Sequence, residues 1–335
     1  MSYSFFAEEE QLRRLSELGD SLEKLKCIDF ERFRPHLTKA LSHDRRSNAG
    51  RPSFDCVMMF KILVLKSLFK LSDDQAEYQI TDRMSFQRFL GLSLGDKIPD
   101  AKTIWLYQEN LTKSGIIKEL FNLFESELEA RGMVTHKGTI IDATFVDAPR
   151  QRNSREENKE IKEGKTPEEW EKEPHKKAQK DVDARWTCKR KETHYGYKNH
   201  AKVDAESKLI VDYEVTSASV HDSRCFTELL NETDEVVYAD SAYIGQQVPE
   251  NIKQEICERG TRNKKLTDEQ KAENKRKSKI RVRIEHVFGF QTGAMKGIIV
   301  RTIGIARARF CTGLMNLVYN FHRFAFLRKK QCLGG

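Results

Sequence analysis

The sequence predicts an α/β (α+β) chain: a mixed sheet flanked by helices, preceded by an all-helical N-terminal region. Three observations point there. Residues 1 to about 132 carry helical apolar spacing without strand-like alternation. From about 133 the period changes to short apolar runs and alternating segments bounded by turn residues. The order of these later segments is strand, hairpin pair, helix, strand, strand, helix, which suits a sheet with crossover connections.

In the helical region, the stretch from Phe54 to Phe69 is apolar nearly all round, the mark of a buried central helix. Leu71-Ser72-Asp73-Asp74 offers a Ser72 cap and early acids for a new helix. Ser85 to Leu90 reads as a short helix, and Pro99-Asp100 opens another. Ile116 to Ala130 is amphipathic, with Ile117, Leu120, Phe121 and Phe124 on one side. A helix-turn-helix and a plain helical bundle fit this region equally.

Residues 138–146 read as the first strand. Residues 148–191 are dense in Lys, Arg and Glu and poor in large apolar groups, so an exposed loop or partly disordered insertion is expected. Thr193–Ala205 and Leu209–Thr216 alternate as paired strands, and Glu206-Ser207-Lys208 is short enough for a hairpin link. His221–Leu230 reads as a helix, Glu235–Asp240 as a buried strand and Gln254–Glu258 as another. Helices are expected at Lys279–Gln291 and Ile303–Leu327. This is the element order of a ribonuclease H-like domain, covering 133–330 with the charged insertion 148–191.

The chain has 335 residues and a formal charge of +8. The charge is uneven: no Asp or Glu follows Glu285, whereas eight Lys or Arg do. That balance favours a polyanionic partner. Seven scattered cysteines with no CxxC pair argue for reduced thiols rather than a zinc or disulfide framework. The first ten residues lack a basic, apolar signal sequence. No stretch is long and apolar enough to span a bilayer. A cytoplasmic location is expected.

Three acids carry the chemistry. Asp142 lies in the apolar run Thr139-Ile-Ile-Asp142-Ala-Thr-Phe-Val146, where Asp is out of place in a strand. Asp240 ends the run Val236-Val-Tyr-Ala-Asp240. Glu285 sits on a basic helix beside the apolar stripe Ile280, Ile284 and Val287. Two acids leaving strands and a third on a late helix can converge on a pair of hard cations, which prefer carboxylate oxygens. Two such metals clamp the attacking and leaving oxygens of phosphoryl transfer. Each acid also has a plainer explanation, as a turn residue or a surface ion pair. His194, His200 and His221 match no zinc spacing and read as structural.

The segments Ile141-Asp142-Ala-Thr144, His194-Tyr-Gly-Tyr-Lys-Asn-His200, Val215-Thr-Ser-Ala-Ser-Val-His-Asp-Ser223, Tyr238-Ala-Asp240-Ser-Ala-Tyr243 and Arg281-Val-Arg-Ile-Glu285-His-Val-Phe-Gly289 together resemble the DDE transposases of bacterial insertion sequences. They are most similar to the insertion-sequence-five-type group. The stretch from Arg51-Pro52-Ser53 to Leu63 resembles that group's helical N-terminal region. The resemblance implies a metal triad of Asp142, Asp240 and Glu285, two Mg²⁺ ions (or Mn²⁺) per site, and cleavage and strand transfer at element ends. It implies double-stranded DNA as partner, both terminal inverted repeats and target, with a homodimer on DNA in the bacterial nucleoid. Region 1–132 would bind DNA ends, and Arg281, Arg283 and Lys296 would hold phosphates. In the wider superfamily the last helix carries a Tyr, an Arg, the Glu and a Lys at fixed spacing. Ser278 and Thr292 stand at the Tyr and Lys positions here, with Lys296 one turn beyond. A nuclease that cuts without joining ends, and a silent DNA-binding descendant of a transposase, remain alternatives.

Overall fold

The computed structural model describes residues 7–42, 53–93, 95–189, 191–261, 265–297 and 299–333. The expectations for the first six residues and for Arg51-Pro52 lie outside them. The chain divides into two compact units. One comprises Met1–Leu128, Ala294–Lys296 and Leu314–Gly335; the other comprises Glu129–Gly293 and Gly297–Gly313.

The first unit is helical, as the spacing predicts. Its central helix, Cys56–Phe69, buries eight of its side chains on all sides. Asp55 starts it by accepting from the Met58 N–H, and Lys70 ends it in a left-handed conformation. Ser72 forms a capping box with Gln75 at the head of Asp73–Asp82. Asp100 caps Ala101–Ser114. The expected apolar side of Ile117–Ala130 is the buried one. Phe321, from the chain's last helix Ile305–Leu333, meets Phe30, Phe33 and Phe124 in tilted edge contacts with ring centroids 5.5, 5.9 and 4.8 Å away.

The second unit holds a six-stranded mixed sheet: β1 Thr139–Asp147, β2 Arg185–Lys189, β3 Glu192–Asp204, β4 Ile210–Ser217, β5 Val236–Ala239 and β6 Lys253–Ile256. β3 pairs antiparallel with β1, β2 and β4, while β5 runs parallel to β1 and β6 parallel to β5. This is the ribonuclease H-like arrangement. The β3–β4 link is the expected tight one. Asp204 gathers the N–H groups of Glu206 and Ser207 and the Ser207 hydroxyl, and Lys208 takes a left-handed turn conformation. The helix expected at 279–291 is longer, Asp268–Gly293, and lies against β1 and β5 with Ile284 and Val287 buried.

A buried ion pair fastens the sheet. Lys202 on β3 and Asp234, before β5, meet at 2.8 Å with side chains 1% and 0% exposed. Asp234 also accepts from the Thr139 hydroxyl at the start of β1 and from the Asn231 N–H, both at 2.8 Å. One carboxylate thus ties three chain segments together at the edge where β5 meets β1.

Two expectations are corrected. The charged segment 148–191 is folded over its described residues. It contains helices Arg155–Lys162, Glu168–Lys172 and Pro174–Lys177 before β2. A small apolar set suffices to hold it: Trp170, Ile161 and Ala184 are buried, and the Trp170 indole donates to buried Glu157 at 2.6 Å. Asp181 draws in the rest, accepting from the Tyr197 hydroxyl at 2.7 Å and the Gly304 N–H at 3.0 Å. The helix expected at 221–230 shrinks to turns at Asp222–Arg224 and Phe226–Leu229. Phe226 and Leu229 enter the core, and the chain then turns at 230–234 to bring Asp234 to Lys202.

Asp234→Ala leaves the Lys202 ammonium buried without a counter-charge. Urea unfolding is expected to show a loss of about 3–5 kcal/mol. Amides of Arg155–Lys162 and β2 are expected to exchange slowly in the wild type, and Trp170→Ala to make them fast.

Candidate functional site

Asp142 sits in the middle of β1. The parallel register pairs Thr139 with Val237 and Ile140 with Tyr238, and continued two residues it sets Asp142 level with Asp240. Neighbouring strands lie about 4.8 Å apart, so the two carboxylates emerge side by side on one face. Ile141, Val237 and Ala239 point the other way, into a cluster with Phe226, Leu229, Tyr243 and Ile252. Asp142 therefore interrupts an apolar run without entering the apolar core.

Each acid has one oxygen held by the backbone. Asp142 Oδ1 accepts from the Ala143 N–H at 2.8 Å, and Asp240 Oδ1 accepts from the Ser241 N–H at 2.6 Å. Each turns its Oδ2 toward the same cation: Arg281 Nη1 lies 3.5 Å from Asp142 Oδ2 and 4.0 Å from Asp240 Oδ2. Arg281 reaches them from the helix that covers this face. Burial pushes the Asp142 carboxyl above its ordinary value. The Ala143 N–H, Arg281 and Lys189 pull it back, while the charge of Asp240 adds to the rise. Two donors nearby are unsatisfied: Arg281 Nε and the Tyr243 hydroxyl are buried without a hydrogen-bond partner. Burial, followed by the charges of Asp142, Asp222 and Asp240, pushes the Tyr243 phenol far up.

The structure thus brings together Asp142, Asp240 and Arg281. Glu285 lies one turn beyond Arg281 on the same helix with an exposed side chain. Among the described residues, no three His, Cys, Asp or Glu side chains gather as a metal-holding group. Arg283 donates to the Ala205 carbonyl at 2.6 Å. Lys296 is exposed, and its carbonyl accepts from Lys70 Nζ at 2.6 Å. At the two substituted motif positions, Ser278 is half-buried and the Thr292 hydroxyl bonds back to the Phe288 carbonyl.

The histidines occupy structural places. His194 stacks on Phe145 with centroids 3.8 Å apart, and His221 caps the turn at Asp222. Buried His200 bonds the Thr216 hydroxyl and is held down to about 4 by burial. The sequence reading missed Tyr243, although the Asp240-Ser-Ala-Tyr243 run carries it, and it gave Arg281 to phosphates rather than to the acids.

The donor set fits a divalent cation. Two carboxylates stand level, each with one oxygen fixed by an N–H and the other offered to a positive charge, and hard cations take such oxygens.

A family model described as the transposase DDE domain matches residues 135–321, and one described as a transposase domain (DUF772) matches residues 9–110. No solved structure matches the chain. No helix among the described residues is long and apolar enough to cross a membrane.

The raised Asp142 pKa has a definite sign. The fold favours the protonated carboxyl, so its contribution to stability is present at low pH and is lost as pH rises through the folded value. Asp142→Asn is therefore expected to melt higher than wild type at neutral pH without added metal, with the gap closing as pH falls through the carboxyl range. Calorimetry across pH checks this.

Proposed function

Since the chain belongs to the transposase DDE-domain family, we propose that Asp142, Asp240 and Glu285 are the acids with which it cuts insertion-sequence ends and joins them to target DNA. The chain is a DNA transposase, of a family that uses divalent metal ions. One observation supports the finer assignment: Asp142 and Asp240 stand level on adjacent parallel strands and turn Oδ2 to a single cation.

In this reading Asp142, Asp240 and Glu285 hold two Mg²⁺ ions, with Mn²⁺ as substitute. Bound there, the ions supply charge stabilisation for the attacking and leaving oxygens of an in-line displacement. The chain's own groups prepare the site. The Ala143 and Ser241 N–H groups fix the direction of each carboxylate. Glu285 is carried by the helix whose buried stripe, Ile284 and Val287, rests on the sheet, and its exposed carboxylate would complete the set. Arg281, Arg283 and Lys296 hold DNA phosphates, which position the strand without reading its sequence. Region 1–132 binds the terminal inverted repeats, and 133–330, with its insertion 148–191, carries the chemistry. The chain acts as a homodimer on DNA in the bacterial cytoplasm and belongs to the insertion-sequence-five-type group.

Asp142→Asn, Asp240→Asn and Glu285→Gln each remove a charged ligand while conserving shape. Each is expected to lower Mg²⁺-dependent cleavage of element-end DNA by several orders of magnitude and leave binding nearly unchanged. Near-normal cleavage by any one of them removes that residue from the triad. DNA affinity should fall by about 10³–10⁵ between 50 and 200 mM salt if six to ten phosphates are contacted. Fluorescence anisotropy measures that slope, and a flat response contradicts the phosphate grip.

A further inference from the structure

We propose that Arg281 is a built-in counter-ion of the acid pair, one that competes with the divalent cation for Asp142 and Asp240 and must leave before the cation can be held. The inference rests on the reading of these two acids as metal ligands.

Two carboxylates set level on neighbouring strands repel each other, and burial of Asp142 strengthens that repulsion. A single guanidinium nitrogen answers both. Arg281 Nη1 approaches each Oδ2, at 3.5 and 4.0 Å. The geometry is that of a placeholder. A committed arginine–carboxylate pair is bidentate with contacts of about 2.7–2.9 Å. Here one nitrogen is shared at longer range, and Nε is buried with no acceptor. Burying an unsatisfied donor is unfavourable, so the guanidinium has a reason to go elsewhere once a better partner arrives.

The better partner is a phosphate oxygen pair, which takes Nε and a terminal nitrogen in the fork that arginine presents. The helix that carries Arg281 is seated on the sheet by Ile284 and Val287, so the side chain can exchange partners without moving the backbone. Arrival of a DNA phosphate would draw Arg281 off the acids and open them to the cation. A chain with no strand bound then keeps the charge of its acid pair partly offset.

The test is Mn²⁺ binding to the full chain without DNA, by isothermal titration and by the electron paramagnetic resonance signal of free Mn²⁺. Arg281→Gln and Arg281→Met, which keep much of the stem but remove the charge, should each bind Mn²⁺ about tenfold more tightly than wild type. Arg281→Lys, which keeps the charge, should stay within about twofold. Circular dichroism melts confirm that the variants are folded, and either neutral variant suffices. Tighter binding in a folded neutral variant but not in the lysine variant supports the counter-ion. Unchanged or weaker binding in the neutral variants overturns it. Asp142→Asn is the separate control on the acids: if it binds Mn²⁺ as well as wild type, the metal assignment itself fails, whatever Arg281 does.

Discussion

The register of β5 against β1 is the constraint on which the site depends. Asp142 and Asp240 are 98 positions apart in the chain, and only this pairing makes them neighbours. A slip of one residue would turn Asp240 to the opposite face, and a slip of two would move it about 6.6 Å along the strand. The strands pair directly over only two residues, which is little to fix a register. Asp234 supplies the rest. It accepts from the Thr139 hydroxyl at the first residue of β1 and pairs with Lys202 on β3, so β5 has one way to begin. A buried ion pair is weak support for stability in itself, because desolvation offsets attraction, but one with a single geometry can specify an arrangement.

The covering helix turns that register into a charged site. Its buried stripe, Ile284 and Val287, leaves Arg281 beside the acids and Glu285 one turn further on. One arginine of this basic helix faces two aspartates, so the charge balance there is sensitive to whatever binds. In the proposed reading, cation binding and phosphate binding draw on the same few side chains. The unsatisfied Arg281 Nε and Tyr243 hydroxyl mark where the polar balance of the free chain is incomplete.

Much of this was legible in the sequence. The strands from β1 to β6, apart from β2, follow from alternation and short apolar runs, and Asp142 announced itself by being acidic within one. The folded insertion was not legible. Its buried residues Ile161, Trp170 and Ala184 are far apart, and Tyr197 and Gly304, which hold its Asp181, come from elsewhere in the chain. Lys202 was equally hidden, since a lysine in an alternating strand reads as solvent-facing until its partner 32 positions away is known. Spacing predicted the helix that carries Glu285 and two residues of its buried stripe, Ile284 and Val287. It carried no information on which residue of that helix, Glu285 or Arg281, stands closest to the two aspartates.

The most direct measurement is anomalous diffraction at the manganese edge, from crystals of the full chain with Mn²⁺ and a DNA duplex carrying its terminal repeat. Manganese peaks in direct coordination with the carboxylates of Asp142 and Asp240, with Glu285 completing the set and Arg281 moved to a phosphate, are the expected result. Peaks that leave Asp142 or Asp240 uncoordinated would contradict the assignment of the acid pair as the catalytic centre.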